Sequence, residues 1–215
     1  DIVKSYVDWA EKEAVVVFFA GCDFRCPFCF TSKILDRKEE FLKDNKDVKR
    51  AIMESSYELD TVYFTGGEPC LQRPALLEFL KFSRKLGLEI GLQTNGSNPK
   101  VIKKVIEDKY LDYISLDLKS PFDTETFEKT TKLKTFFKKT EEVMSEIKDT
   151  LEVLKKNEGV IRIDIRTTII PSVMYNKERI LRIASQLRGL NCTWILQQFQ
   201  PNLGKIESKT LSNIN

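Results

Sequence analysis

The 215 residues carry 35 Lys and Arg against 32 Asp and Glu, a formal net charge of +3, and no histidine. So small a surplus gives no electrostatic case for nucleic acid, and no apolar run approaches the roughly 18–20 residues that span a bilayer. Neither nucleic-acid nor membrane partners are expected, and the length favours one domain, residues 1–205, with 206–215 as a loosely ordered tail.

The opening residues show no cationic-then-apolar pattern, and a secretory leader is not expected. Ala14 to Ala20 is a continuous apolar run and reads as a buried strand. After a cysteine-rich loop, the charged stretch 31–46 is expected to cover that loop before a helix at about 47–57, with Asp47 as its cap and Val48, Ala51, Ile52 and Ser55 along one face. Thr61 to Thr65 is β-rich and is stopped by Gly66, Gly67, Glu68 and Pro69. Pro74 opens a helix whose Leu76, Leu77, Leu80 and Phe82 lie at helical spacing up to Gly87.

The pattern repeats. Leu88 to Leu92 is a strand ending in the turn signal Gln93, Thr94, Asn95, Gly96, and Pro99 to Glu107 is a helix. Tyr113 to Leu118 is a strand. Leu133, Phe137, Met144, Ile147, Leu151 and Leu154 then track a helix face that Asn157 and Gly159 stop. Val160 to Ile170 is a strand, Lys177 to Leu187 a helix, and Thr193 to Phe199 a last strand. About six strand–helix units argue for an α/β fold with a parallel sheet and outer helices, too few for a closed eight-fold barrel.

In such folds the working residues gather at the C-terminal ends of the strands. The first strand delivers Cys22, Cys26 and Cys29, three of the chain's five cysteines within eight residues. Thiolates at this spacing suit an iron–sulfur cluster. Zinc usually takes four ligands, and only Cys70 and Cys192 remain, neither in a pair. Zinc and plain buried thiols nonetheless stay open as alternatives. The later strand ends deliver Gly66 to Pro69, then Thr94 and Asn95, then Asp117 with Lys119, and finally Arg166 with Thr168. The two glycines let a ligand approach the backbone, and Glu68 is an acceptor for an ammonium group. Cys70 and Cys192 read as small buried hydrophobes. Clustered free thiols fit a reducing cytoplasm.

Cys22, Cys26 and Cys29, with the aromatic Phe28 just before the third, resemble the cluster loop of radical S-adenosylmethionine (radical SAM) enzymes. Gly66, Gly67, Glu68 and Pro69 resemble that family's GGEP motif. The resemblance implies an open partial (β/α)6 barrel and a [4Fe-4S] cluster held by the three cysteines. It also implies S-adenosylmethionine with its amino group at the Gly66–Pro69 turn and neighbours Phe28, Thr94 and Asn95. Asp117 and Lys119 are similar to the glycyl-radical-enzyme activase branch, where this pair contacts the methionine carboxylate and a nearby monovalent cation; Arg166 is expected near the same carboxylate or on the rim. Tyr6 to Trp9, Ser115 to Phe122 and Gln197 to Pro201 resemble activases of the anaerobic ribonucleotide reductase type. The implied partners are a glycyl radical enzyme, such as anaerobic ribonucleotide reductase, and an electron donor such as flavodoxin or ferredoxin. Two positions depart from the pattern: Phe30 stands where the family often has His, and Gln93 where related activases can carry an acidic cation ligand. These departures leave room for a small-molecule substrate, a heterocycle or nucleoside.

Overall fold

A computed structural model describes residues 2–5, 12–135, 137–171 and 173–200. A short strand, β1 (Ile2–Ser5), pairs antiparallel with β2 (Ala14–Phe19). Strands and helices then alternate: α1 (Asn45–Ser55), β3 (Thr61–Gly66), α2 (Arg73–Lys85), β4 (Glu89–Thr94), α3 (Pro99–Glu107) and β5 (Tyr113–Asp117). They continue as α4 (Thr124–Thr131), α5 (Thr140–Lys156), β6 (Arg162–Ile169), α6 (Lys177–Gln186) and β7 (Thr193–Gln198).

The strands lie in chain order, and β2 to β7 are parallel. Parallel neighbours need a crossover, and a consistent hand puts every crossover helix on the same side of the sheet. The sheet curls into an open partial (β/α)6 barrel with β1 and β7 at its edges. Among the described residues no helix is long and apolar enough to cross a membrane.

Alternation along each strand sorts the core into two. Val15, Val17, Val62, Phe64, Ile90, Leu92, Ile114, Leu116, Ile163 and Ile165 pack with Leu76, Leu80, Ile102, Val105, Ile147 and Leu154 from the helices. Ala14, Val16, Tyr63 and Tyr113 form a second cluster built from strands alone, so it faces the barrel interior. Further round the interior the same alternation brings Gln93, Ser115, Asp117, Asp164 and Arg166, which are polar.

The elements depart from the sequence reading in three places. β1 is only four residues with two exposed, too short for a periodic signal. The cap of α1 is Asp44, whose carboxylate accepts from the Lys46 amide, and Asp47 lies inside the first turn. The 133–154 stripe is not one helix: α4 comes first, with Lys132 in the left-handed region ending it, and α5 starts only at Thr140. Leu133 and Phe137 therefore lie in a connection, and Phe137 is 96% exposed. Of the segments singled out for resemblance, Tyr6 to Trp9 and Pro201 lie outside the described residues, as does the 206–215 tail.

Ile147→Ala, in α5, is expected to cost about 2–5 kcal/mol through the cavity it leaves. Phe137→Ala is expected to stay within about 0.5 kcal/mol of the parent. Urea unfolding of both variants checks this, and similar losses would contradict the break between α4 and α5.

Candidate active site

The site begins where β2 and β3 end together. Phe19 and Gly66 are partners in the parallel register, and two further backbone bonds extend the pairing past the strands. The Gly67 amide donates to the Phe19 carbonyl at 2.8 Å, and the Glu68 amide to the Gly21 carbonyl at 2.8 Å. Gly66 has φ +121, and a Cβ there would sit 2.4 Å from the Phe19 backbone. A Cβ on Gly67 would sit 2.1 Å from the Gly21 oxygen. On these two sides the glycines abut β2, at Phe19, and the cysteine loop, at Gly21.

That loop is held on both flanks. Thr31 Oγ1 donates to the Gly66 carbonyl at 3.1 Å and lies 3.4 Å from Cys29 Sγ. The Arg25 amide donates to the Thr131 carbonyl, and the Lys134 amide to the Asp23 carbonyl, each at 2.8 Å. Phe24 is buried edge-on against Phe127 of α4, ring centres 5.8 Å apart. Within this frame Cys22, Cys26 and Cys29 are free and part-buried. The Phe24 amide lies 3.4 Å from Cys22 Sγ and the Asn95 side-chain amide 3.9 Å from it. The Cys29 amide donates to the Cys26 carbonyl at 3.1 Å. Phe28 packs in the core, with the Lys119 ammonium 5.9 Å from its ring centre.

Burial pushes the Cys22 thiol well up, helped by the charges of Asp23 and Glu68. Burial likewise pushes Cys26 up to about 12, against the pull of the Lys119 charge. Metal loading here must therefore displace protons. Three free thiols, with N–H donors near one and an ammonium acting on another, are the donor chemistry an iron–sulfur cluster uses. Such a cluster spreads its thiolates over separate irons. Among the described residues no three Cys, Asp or Glu side chains form a group that could hold a single metal ion.

Beside the loop lies Glu68, fully buried. Its carboxylate accepts from the Cys70 amide at 2.9 Å, Thr94 Oγ1 at 2.8 Å and the Asn95 amide at 2.7 Å. Burial still dominates, with the Asp23 charge adding to it, and raises Glu68 to about 7. Asn95 also donates to Asp23 Oδ1 at 2.7 Å, so one residue ties β4, Glu68 and the cysteine loop together. Pro69 is buried at the start of a short 3-10 turn that brings the Cys70 amide to Glu68.

Asp117 and Lys119 do meet, Nζ to Oδ2 at 3.0 Å, but not as two residues of one strand: β5 stops at Asp117. Burial disfavours the Lys119 charge; Asp117, with the Cys26 and Cys22 thiols, more than offsets it and raises the pKa. Gln93 Nε2 donates to both oxygens of Asp117, at 3.1 and 3.2 Å, and Gln93 Oε1 accepts from Thr65. Arg166 is not at a strand end. It sits mid-β6 in register with Asp117, buried, with Nη2 donating to the Tyr113 hydroxyl at 3.3 Å. That hydroxyl in turn donates to Asp164 Oδ2 at 2.8 Å. Cys70 is buried as expected, whereas Cys192 is only part-buried and far along the chain at the foot of β7.

The Radical SAM superfamily model matches residues 16–184. The chain belongs to this superfamily. A Methanocaldococcus jannaschii protein named for glycyl-radical enzyme activation is 29% identical over 234 residues, 98% of this chain and 91% of its own. A 7-carboxy-7-deazaguanine synthase of Thermococcus kodakarensis is 28% identical over 128 residues, 50% of this radical SAM chain and 49% of its own. The solved structure of Streptococcus suis SuiB bound to S-adenosylmethionine matches with a TM-score of 0.62 at 18% identity. That match covers 89% of this chain and 42% of the other, and shows the shared fold.

Asp23, Thr31, Gln93, Tyr113 and Asp164 join the expected residues. Asp23 and Thr31 flank the cysteines in sequence, a positional signal. Tyr113 and Asp164 had none, because only the pairing of β5 with β6 lets the Tyr113 hydroxyl reach diagonally to Asp164.

Because Glu68 is raised from the usual 4.5 to about 7, its contribution is fully present below pH 4.5 and is lost as pH rises through 7. The cluster-free protein is expected to lose about 3 kcal/mol of unfolding free energy over that window through this group. Glu68→Gln should remove that part of the slope, which chemical denaturation of both proteins across pH 4.5–8 measures.

Proposed function

We propose that this radical SAM protein activates a glycyl radical enzyme. The thiolates of Cys22, Cys26 and Cys29 would each hold one iron of a [4Fe-4S] cluster, leaving one iron for S-adenosylmethionine. When bound, the cluster would supply the electron for reductive cleavage of S-adenosylmethionine, the source of hydrogen-abstracting chemistry.

The chain's own residues prepare that event. The Glu68 carboxylate would accept the cofactor's ammonium group at the Gly66, Gly67, Pro69 turn, and that positive charge would draw Glu68 into its ionised form. Thr94 and Asn95 hold the carboxylate in place for this. Lys119, oriented by Asp117, would offer its charge to the methionine carboxylate, with Arg166 deeper in the barrel. A monovalent cation at Asp117 would share that carboxylate with Lys119 and Gln93. Phe28 would shield the site from water.

The observation that carries the activase reading is the whole-length match to a relative named for that activity, 98% of one chain and 91% of the other. Anaerobic ribonucleotide reductase is the expected partner, flavodoxin or ferredoxin the expected donor, and a reducing cytoplasm the compartment that suits three free thiols. A second reading, hydrogen abstraction from a heterocycle, is favoured by the half-length match to the deazaguanine synthase.

Anaerobic reconstitution with iron and sulfide should give a reduced EPR signal that changes when S-adenosylmethionine is added, and 5′-deoxyadenosine should form. Cys22→Ala, Cys26→Ala and Cys29→Ala should each reduce that product to background. Asn95→Ala, which removes an amide near Cys22 Sγ, should cost about 10–100-fold in cluster retention or rate. A glycine doublet on the reductase carries the activase reading. Product formed only with a purine-like substrate would replace it, and zinc without inorganic sulfide would overturn both.

A further inference from the structure

Residues 132–139, which join α4 to α5, contain Lys132, Lys134, Lys138 and Lys139 and no acid. All four lysines are exposed. Lys138 pairs with Glu146 at 2.6 Å, and Lys134 reaches Asp36 at 3.7 Å. Lys132 and Lys139 have no ion-pair partner within 4 Å among the described residues. Phe137, in the same connection, is 96% exposed, and Phe30, directly after Cys29, is 62% exposed. In a chain with a net charge of only +3, four lysines in eight residues flanking the exposed Phe137 are a local excess of positive charge, although Glu128 and Glu141 line the same surface cavity as Lys132, Lys138 and Lys139.

Its position gives it meaning. The last residue of α4, Thr131, and Lys134 of the connection are each bonded by backbone to the cysteine loop, at Arg25 and Asp23. The connection arrives from the helical layer, where Phe127 packs on Phe24. Gln93, Asp117 and Arg166, by contrast, face the barrel interior. A substrate whose hydrogen is removed must reach the interior side. The outer side touches the cysteine loop without occupying that path, which is what delivery of an electron requires.

We propose that the surface of Lys132, Lys134, Lys138 and Lys139, with Phe137, is the docking surface for an acidic one-electron donor protein. The proposal rests on the cluster reading above. The reduced donor gives one electron to the group held by Cys22, Cys26 and Cys29 and leaves oxidised by one electron, with no proton transferred. Charge complementarity of this kind raises the association rate and makes it salt-dependent.

The test uses the reconstituted protein and compares two reductants, dithionite and reduced flavodoxin, with 5′-deoxyadenosine as the readout. The variant is Lys132→Glu/Lys134→Glu/Lys139→Glu, with Phe137→Ala as a second, charge-neutral change. With flavodoxin, the triple variant should slow at least about ten-fold at low ionic strength. The parent should itself slow as salt rises, so that the gap narrows as charges are screened. With dithionite, all three proteins should run alike, which also shows that the variants fold and load. An unchanged flavodoxin rate would overturn the docking surface. So would a triple variant that keeps its flavodoxin rate and loses only glycine-radical formation on the reductase, since the lysines would then receive that partner. Failure of the parent with dithionite would instead overturn the cluster reading, and the docking surface with it.

Discussion

Everything at the site depends on how closely two loops approach at the ends of β2 and β3. The parallel ladder does not stop with the strands: the Gly67 and Glu68 amides continue it onto the carbonyls of Phe19 and Gly21. That continuation brings the cysteine loop and the Gly66–Pro69 turn into one rigid unit. It is possible only where neither position 66 nor 67 carries a Cβ, since one would fall 2.1–2.4 Å from backbone atoms that cannot yield. The missing side chains thus let the two loops close on each other.

A buried carboxylate is the counterpart of that arrangement. Glu68 has no exposure, and three donors do not fully offset the loss of water, so its proton is held to about 7. Its neighbour Asp23 adds to the same imbalance. Such a group is stable enough to persist in the fold and is best satisfied by a cation arriving from outside. Asp117 is the opposite case. Lys119 and Gln93 already engage its carboxylate, so its part is to orient an ammonium group.

Below these lies a polar column that the barrel interior makes possible. Asp117 and Arg166 are register partners, and Arg166, Tyr113 and Asp164 are linked by hydrogen bonds. The interior of an open barrel has no helix to pack against. Its upper levels take polar side chains, while Ala14, Val16, Tyr63 and Tyr113 close the apolar part. The outer face, covered by helices, is mainly apolar, with Thr94 and Thr167 its buried polar residues near the strand ends.

What the sequence by itself determined is the local chemistry and its order. The cysteine spacing, the Gly66–Pro69 turn and the alternation of apolar runs with helical stripes are short-range patterns, readable without partners, and they placed β2 to β7 and most helices within a few residues. Short-range signals failed where an element was marginal, as with β1, or where an apolar residue kept helical spacing by chance, as with Phe137. Tertiary structure alone decided the rest. Register put Arg166 beside Asp117 and Asp164 beside Ser115, within diagonal reach of the Tyr113 hydroxyl, residues tens of positions apart whose pairing no local pattern encodes. Close packing set the Gly67 α-carbon against the Gly21 carbonyl, a contact no local pattern shows. The fold also carried the lysines of 132–139 to the outer flank of the cysteine loop, more than a hundred residues from Cys22 in sequence and bonded to its neighbour Asp23 in space.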